Sequence, residues 1–276
     1  MKLKNMILGA VSAMTAFAFA ACSNINENER LIYVEPDIPD DSTEVVTRAV
    51  LIEDFTGQRC VNCPNGTEAI SKIMETYGED NIIAVGVHSG SRGFAGNSKV
   101  VGLKTETGDE YYNYFKIEAQ PCALFNRRAK SLDYTQWASF VRDEISAEAR
   151  LSVSIDNSYD PASRTLTTAV SAMGIDGTTQ GKLQVWLVED GITAMQLMPD
   201  GSANSSYVHN HVFRAAVNGT WGEDVTVKEG ETTAKQYTYT LPETWNADKV
   251  SVVAFVYNDG GVEQAAKKAV IKATEE

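Results

Sequence analysis

The sequence predicts an α/β domain built on a short parallel sheet, followed by an all-β antiparallel sandwich. Two apolar runs, Ala49 to Phe55 and Ile82 to Val87, flank a helical pattern, and continuous runs of this kind belong to strands buried on both faces. Beyond Arg150 the texture changes to short segments separated by turn residues such as Asp176-Gly177, Asn218-Gly219 and Asp259-Gly260-Gly261. Length allows both units: 276 residues less a 21-residue leader leave 255, which suits two domains with two packed cores.

The elements follow in chain order. Lys2 and Lys4 precede an apolar run from Met6 to Phe19, and Ala20 and Ala21 then lead to Cys22. This is the pattern of a bacterial lipoprotein signal peptide over residues 1–21. Cleavage before Cys22 would leave its sulfur to carry lipid, attaching the chain to a membrane of the cell envelope, periplasmic or surface-facing. The apolar run, about 14 residues, is shorter than the ~20 a membrane-spanning helix needs. Residues 22–46 are polar and acidic, with Pro36, Pro39, Asp40 and Asp41, and read as an extended tether.

The first domain is expected over 47–150. Ala69, Ile70, Ile73, Met74 and Tyr77 at helical spacing, closed by Gly78, predict a helix, and the next strand ends at His88. Strand, helix and strand in this order make a βαβ unit with parallel strands. Tyr111, Tyr112, Tyr114, Phe115 and Ile117 predict a short aromatic helix, either core or a recognition patch. Cys122 to Phe125 resumes as strand after Gln120-Pro121, and Trp137, Phe140, Val141 and Ile145 mark one face of a helix over 134–150. The second domain, 151–276, is expected to hold seven strands at 151–155, 165–170, 182–188, 207–216, 236–241, 249–257 and 266–271, in an immunoglobulin-like sandwich.

Charge and cysteine count narrow the function. The leader holds two lysines and no acid, so its removal takes the net charge from −13 to −15. That argues against nucleic acid or an anionic lipid surface as partner. With Cys22 assigned to lipid, Cys60, Cys63 and Cys122 remain, an odd number for a framework of structural disulfides in an exported protein. Gly-x-Ser-x-Gly elbows and Gly-rich phosphate loops are absent from the sequence.

Cys60-Val61-Asn62-Cys63 lies where the first strand gives way to the helix. A cysteine starting a helix meets the positive end of the dipole and unpaired N–H groups, which favour thiolate. Cys60 is therefore the expected nucleophile, Cys63 the resolving thiol one turn on, and Arg59 a further stabiliser of the thiolate. Pro64 is tolerated in a first helical turn. A structural disulfide is the alternative for the pair. Two thiolates and His88 could also converge on a soft ion. The spacing lacks the ligand count of a zinc site, and no metal is assigned. His209 and His211, two apart, would share a strand face without a cysteine or carboxylate to complete a set.

The run Asp54 to Cys63 resembles the thioredoxin superfamily, with an acid six residues before the first cysteine and Phe55 after that acid. The resemblance implies that Asp54 is a buried acid moving protons at the resolving cysteine. It also implies that Tyr114 to Gln120, Pro121 and Cys122 to Phe125 are the family's short helix, cis-proline and next strand, with Pro121 beside the dithiol. Arg59 stands where the family has Trp, and Val61-Asn62 where it has Gly-Pro, so substrate and redox potential do not carry over. Cys122 either adds a third sulfur or, by strand alternation, points into the core.

The signal, the Cys-x-x-Cys-Pro domain and the run Tyr207 to Gly222 together also resemble the Omp28 family of outer-membrane lipoproteins. This implies an outer-membrane location and suggests an adhesin or receptor function, with no defined reaction. The leading expectation is a lipid-anchored protein with a redox-active dithiol, exchanging thiols or disulfides with exported proteins and needing no dissociable cofactor. The competing one is a surface binding protein or adhesin, its sandwich and aromatics holding a ligand and its cysteines a stable bridge.

Overall fold

Strands with apolar residues on both faces belong inside a sheet, and the first two occupy that position. The computed structural model describes residues 46–272; the expected signal peptide, Cys22 and the tether up to residue 45 lie outside the described residues. β1 (Val50–Thr56) is buried throughout and runs parallel to β2 (Ile82–His88), with Val50 opposite Ile82 and Thr56 opposite His88. α1 (Cys63–Tyr77) joins them and buries Ile70, Ile73 and Met74. Gly78 closes it with φ 86°, its N–H on the Met74 carbonyl, a backbone conformation that a side chain would oppose.

α2 (Glu106–Tyr114) begins before the expected aromatic run because Thr105 caps it, Oγ1 accepting the Gly108 N–H at 3.0 Å. β3 (Cys122–Phe125) lies antiparallel to β1, and β4 (Ala129–Ser131) to β3. α3 (Trp137–Ile145) is shorter than the expected 134–150, since residues 134–136 form a 3-10 turn capped by Asp133. Its Trp137 and Val141 are fully buried against Phe125 and α1.

Ten strands rather than seven follow among the described residues: β5 (Leu151–Asp160), β6 (Thr165–Gly174), β7 (Thr178–Glu189), β8 (Ile192–Leu197), β9 (Ala203–His209), β10 (Val212–Ala216), β11 (Glu223–Lys228), β12 (Thr232–Thr240), β13 (Val250–Asn258) and β14 (Gly261–Ala269). The expected strand 207–216 is two strands in two sheets. His211 between them has φ 56°, its N–H bonded to the Asp190 carboxylate and its carbonyl accepting the Gly86 N–H at 2.7 Å. That left-handed residue breaks the two-residue alternation.

The main sheet has nine strands in the order β14-β13-β7-β10-β2-β1-β3-β4, with β11 on β7; β12-β6-β5 forms a second sheet and β8-β9 a hairpin. Most of the architecture is therefore β, in mixed and antiparallel sheets. The expected boundary at 150/151 coincides with the start of β5, yet the main sheet draws on both sides of it. β10 meets β2 parallel, Val212 opposite Gly86, so β2 has a strand on either side and no open edge.

Alternation along the strands sorts the core. One face of the main sheet carries a cluster from both halves, including Leu51, Phe55, Val85, Trp186, Phe213 and Phe255, with Tyr111 of α2 packed on it. The opposite face divides: Ile52, Ile82 and Ala84 meet α1 and α3, whereas Val185, Leu187, Val252 and Ala254 meet Leu166 and Val170 of the three-stranded sheet. The second contact is sheet on sheet, with the larger sheet continuing into the α/β half.

Candidate functional site

Cys60 and Cys63 form a disulfide, Cα atoms 5.4 Å apart, at the C-terminal end of β1. The helix begins at Cys63, not at Cys60 as expected. A helix starting at Cys60 would need the residue-64 N–H on the Cys60 carbonyl, and Pro64 has none. The Cys60 carbonyl takes the Cys63 N–H at 3.4 Å and a second, shorter bond from the other half of the chain: Gln196 Nε2, on β8, donates to Cys60 O at 2.9 Å and to Gly57 O, which also holds the Cys60 N–H, at 3.3 Å. Cys63 thus takes the helix N-terminal position assigned to Cys60.

Around this turn the packing is close. A Cβ on Gly57 would lie 2.4 Å from the Arg92 carbonyl group, so only glycine allows that approach. Gln58 is fully buried; its Nε2 donates to Val101 O and Met195 O, and its Oε1 accepts the Leu103 N–H. The Leu197 N–H adds a bond to Gln58 O at 2.9 Å. The β8–β9 hairpin is thereby fastened over the disulfide, and Cys60 and Cys63 are only 4% and 1% exposed.

The Gln120–Pro121 peptide bond is cis. Gln120 O lies 3.4 Å from Cys60 Sγ, and its side-chain amide ties the loop to Thr56 O and Ser89 O at the ends of β1 and β2. Pro121 packs beside Gly66, where an added Cβ would stand 3.1 Å from it. Arg59 is exposed and stacks over Phe94 at 4.5 Å. Cys122 pairs with Phe55 in register and joins the cluster on the face opposite α1; burial pushes its thiol up to about 11. Of the two readings for Cys122, the core one holds.

Beneath Cys63, Asp54 points from β1 toward α1. It is 3% exposed, its Oδ1 has no hydrogen-bond partner, and burial raises its carboxyl from 3.8 to about 7. His88 ends β2 on the same side, and the β9 residue His209 meets it edge-on at 5.2 Å between ring centroids. Burial holds His88 down at about 3, helped by the neighbouring His209, and His209 at about 4. Asp54, Cys63, His88, Tyr207 and His209 line one cavity of about 30 Å³.

Sequence reasoning named Cys60, Cys63, Asp54, Pro121, His88 and Arg59: the cysteines and Arg59 from the local pattern of the turn, His88 from the end of the second strand, and Asp54 and Pro121 from the likeness to the thioredoxin superfamily. It missed Gln58, Gln120, Gln196 and Tyr207, and paired His209 with the wrong histidine. His211 instead faces Asp190, Nδ1 to Oδ1 3.0 Å. Nothing local marks Gln196, whose partners lie 136 and 139 residues away. The aromatics of α2 serve the other face: Tyr111 accepts from Trp186 Nε1 at 3.0 Å, and Tyr114 packs on Trp221 at 4.3 Å. Among the described residues no group of three or more His, Cys, Asp or Glu is placed to hold a metal ion.

A family model described as outer membrane protein Omp28 matches residues 108–274, a span that begins after the cysteine motif. Among solved structures, HBP35 of Porphyromonas gingivalis is similar with a TM-score of 0.66 and 16% identity, covering 83% of this chain and 79% of that one. Protein AGR_C_4864 from Agrobacterium tumefaciens gives 0.51 and 15%, covering 82% and 96%. At such identities these two likenesses speak for fold alone. A domain of the outer membrane lipoprotein Omp28 from Porphyromonas gingivalis is 25% identical over 43% of this chain and 86% of that one, with a TM-score of 0.32. A comparison with curated proteins gives no match.

Proposed function

The chain belongs to the Omp28 family of outer membrane proteins, which locates it at the outer membrane of the cell envelope, and on that footing we propose that it carries a thioredoxin-like thiol–disulfide exchange centre. Lipid on Cys22 would hold it at the membrane, and its partners are the thiols or disulfides of exported proteins. Cys60 attacks or is attacked, Cys63 resolves the mixed disulfide, and Asp54 takes and returns the Cys63 proton. The Gln120–Pro121 loop, 3.4 Å from Cys60 Sγ, presents backbone to the incoming chain.

The observation that carries this reading is Asp54, a buried carboxyl with an unpaired oxygen in the same cavity as Cys63. A purely structural disulfide has no use for it, and burying it is costly. A titratable acid held near neutrality beside a reacting group is what proton transfer requires. The second reading, a binding protein or adhesin with a structural bridge, draws on the low exposure of both cysteines under the hairpin.

The test is the reduction potential of the Cys60–Cys63 pair in the full chain, equilibrated in glutathione or dithiothreitol buffers and read by alkylation and mass. A reversible couple above about −270 mV, in the range of exchange catalysts, supports exchange and gives its direction. A disulfide that resists reduction until the protein unfolds overturns it and leaves the structural reading.

A further inference from the structure

Three buried polar atoms without hydrogen-bond partners stand in one place: Asp54 Oδ1, His88 Nδ1 and His209 Nε2. They come from β1, β2 and β9, and their residues line the same cavity of about 30 Å³. Buried polar groups are nearly always paired, with protein or with ordered water. An internal water needs roughly 10–15 Å³ and two to four polar partners; this cavity offers both. The convergence is built by elements from both halves, because His209 reaches the cavity only through the hairpin that Gln58 and Gln196 hold down.

We propose that this cavity binds an internal water joining Asp54 to the two imidazoles, and that His209 is the outlet through which a proton leaves Asp54 when Cys63 reacts. The inference rests on the exchange reading and adds a residue from the C-terminal half to its chemistry. In the resolving step the Cys63 thiol gives its proton to the Asp54 carboxylate, and the Cys63 thiolate attacks Cys60 of the mixed disulfide. The Cys60–Cys63 bond forms, the bond from Cys60 to the partner's sulfur breaks, and the partner leaves as a thiolate with the electron pair. Asp54 then passes the proton through the water to His209 Nε2.

The surroundings suit this route. Asp54 and His209 are themselves 3% and 5% exposed, but Asp54 lies in a strand buried throughout, whereas His209 is flanked by Val208, 50% exposed, and by exposed Asn210. An imidazole whose proton affinity is lowered by burial passes a proton on at neutral pH and does not retain it. The titratable groups facing the cavity are Asp54 from β1, His88 from β2, Cys63 from α1, and Tyr207 with His209 from β9. Arg214 of β10 also acts on His88; it is paired with Glu189 at 3.3 Å.

The experiment loads Cys60 of the full chain with thionitrobenzoate and follows release of the coloured thiolate by Cys63 across the pH range. His209→Phe keeps a flat ring but removes both nitrogens; His209→Gln can hold a water but cannot relay. General acid–base groups contribute about 10²- to 10⁴-fold, and with His88 as a parallel acceptor the expected slowing near neutrality is roughly 10- to 100-fold in both variants, with the pH profile displaced. Release at the wild-type rate and profile in both overturns the relay and leaves the exchange reading standing. A wild-type adduct that never releases thiolate overturns both. Should the variants not fold, nitrogen-15 spectra of the wild-type histidines decide: the His209 Nε2 resonance should move with the Asp54 titration and lose that step in Asp54→Asn. A resonance that ignores the titration overturns the relay.

Discussion

Replacing Asp54 by asparagine isolates what it costs to hold an ionisable group beneath the disulfide. Burial raises the folded carboxyl from 3.8 to about 7, so between those values the folded chain binds a proton that the unfolded chain has lost. Stability from this group is fully present below pH 3.8 and is lost as the pH rises through 7. The three-unit difference, at ~1.36 kcal/mol per unit, amounts to about 4 kcal/mol by the time Asp54 is ionised. Asparagine has no proton to lose and nearly the same shape. Urea unfolding of both proteins, disulfide intact, should give equal stabilities near pH 4 and an Asp54→Asn variant more stable by about 3–4 kcal/mol near pH 8. A difference that is flat across pH, or a variant less stable at alkaline pH, refutes the account of Asp54 as a desolvated and unpaired acid.

The remaining predictions follow from the same contacts. In Asp54→Asn the two histidines are left to speak: folded values near 3 and 4 against 6.5 mean their stability is present above pH 6.5 and is lost on acidification, at up to ~2.7 kcal/mol per pH unit for the pair, a slope that urea titration reads and that His88→Leu with His209→Phe should flatten. Gln196→Ala removes one of the two hydrogen bonds to each of the Gly57 and Cys60 carbonyls, leaving them the backbone N–H groups of Cys60 and Cys63, and should cost about 1–2 kcal/mol while speeding reduction of the disulfide by dithiothreitol. Arg127→Met strands Glu53, which its guanidinium meets at 2.8–3.1 Å with side chains 5% and 1% exposed, and should cost about 3–5 kcal/mol, much of it recovered by adding Glu53→Gln. Cys122, its thiol pushed up to about 11, should take up iodoacetamide at neutral pH only after unfolding, as mass spectrometry would report.

Much of the α/β half was legible in the sequence, because its signals are local. The apolar runs of β1 and β2, the period of α1, its Gly78 stop and the Cys60 to Cys63 turn each depend on neighbours within a turn or a strand, whereas the burial of Asp54 was implied by the likeness to the thioredoxin superfamily. The same locality misled at Cys60: the pattern placed it at the helix start, although Pro64 four residues later forbids the bond that would put it there. After residue 150 alternation found most strands but merged β9 with β10, since a single left-handed residue, His211, leaves no mark on hydropathy.

By itself, then, the sequence singled out Cys60, Cys63 and Asp54 as the residues on which the proposed exchange rests, and marked most of the strand and helix segments around them. Tertiary structure alone decided that β10 would sit beside β2, that Gln196 would bond the Cys60 carbonyl that Pro64 cannot, and that His88 and His209 would meet over Asp54. The physical reason is separation along the chain: these pairings join residues more than 100 positions apart, and their partners are selected by buried area and by hydrogen bonds that must be satisfied once water is excluded. No window of sequence contains both members of such a pair.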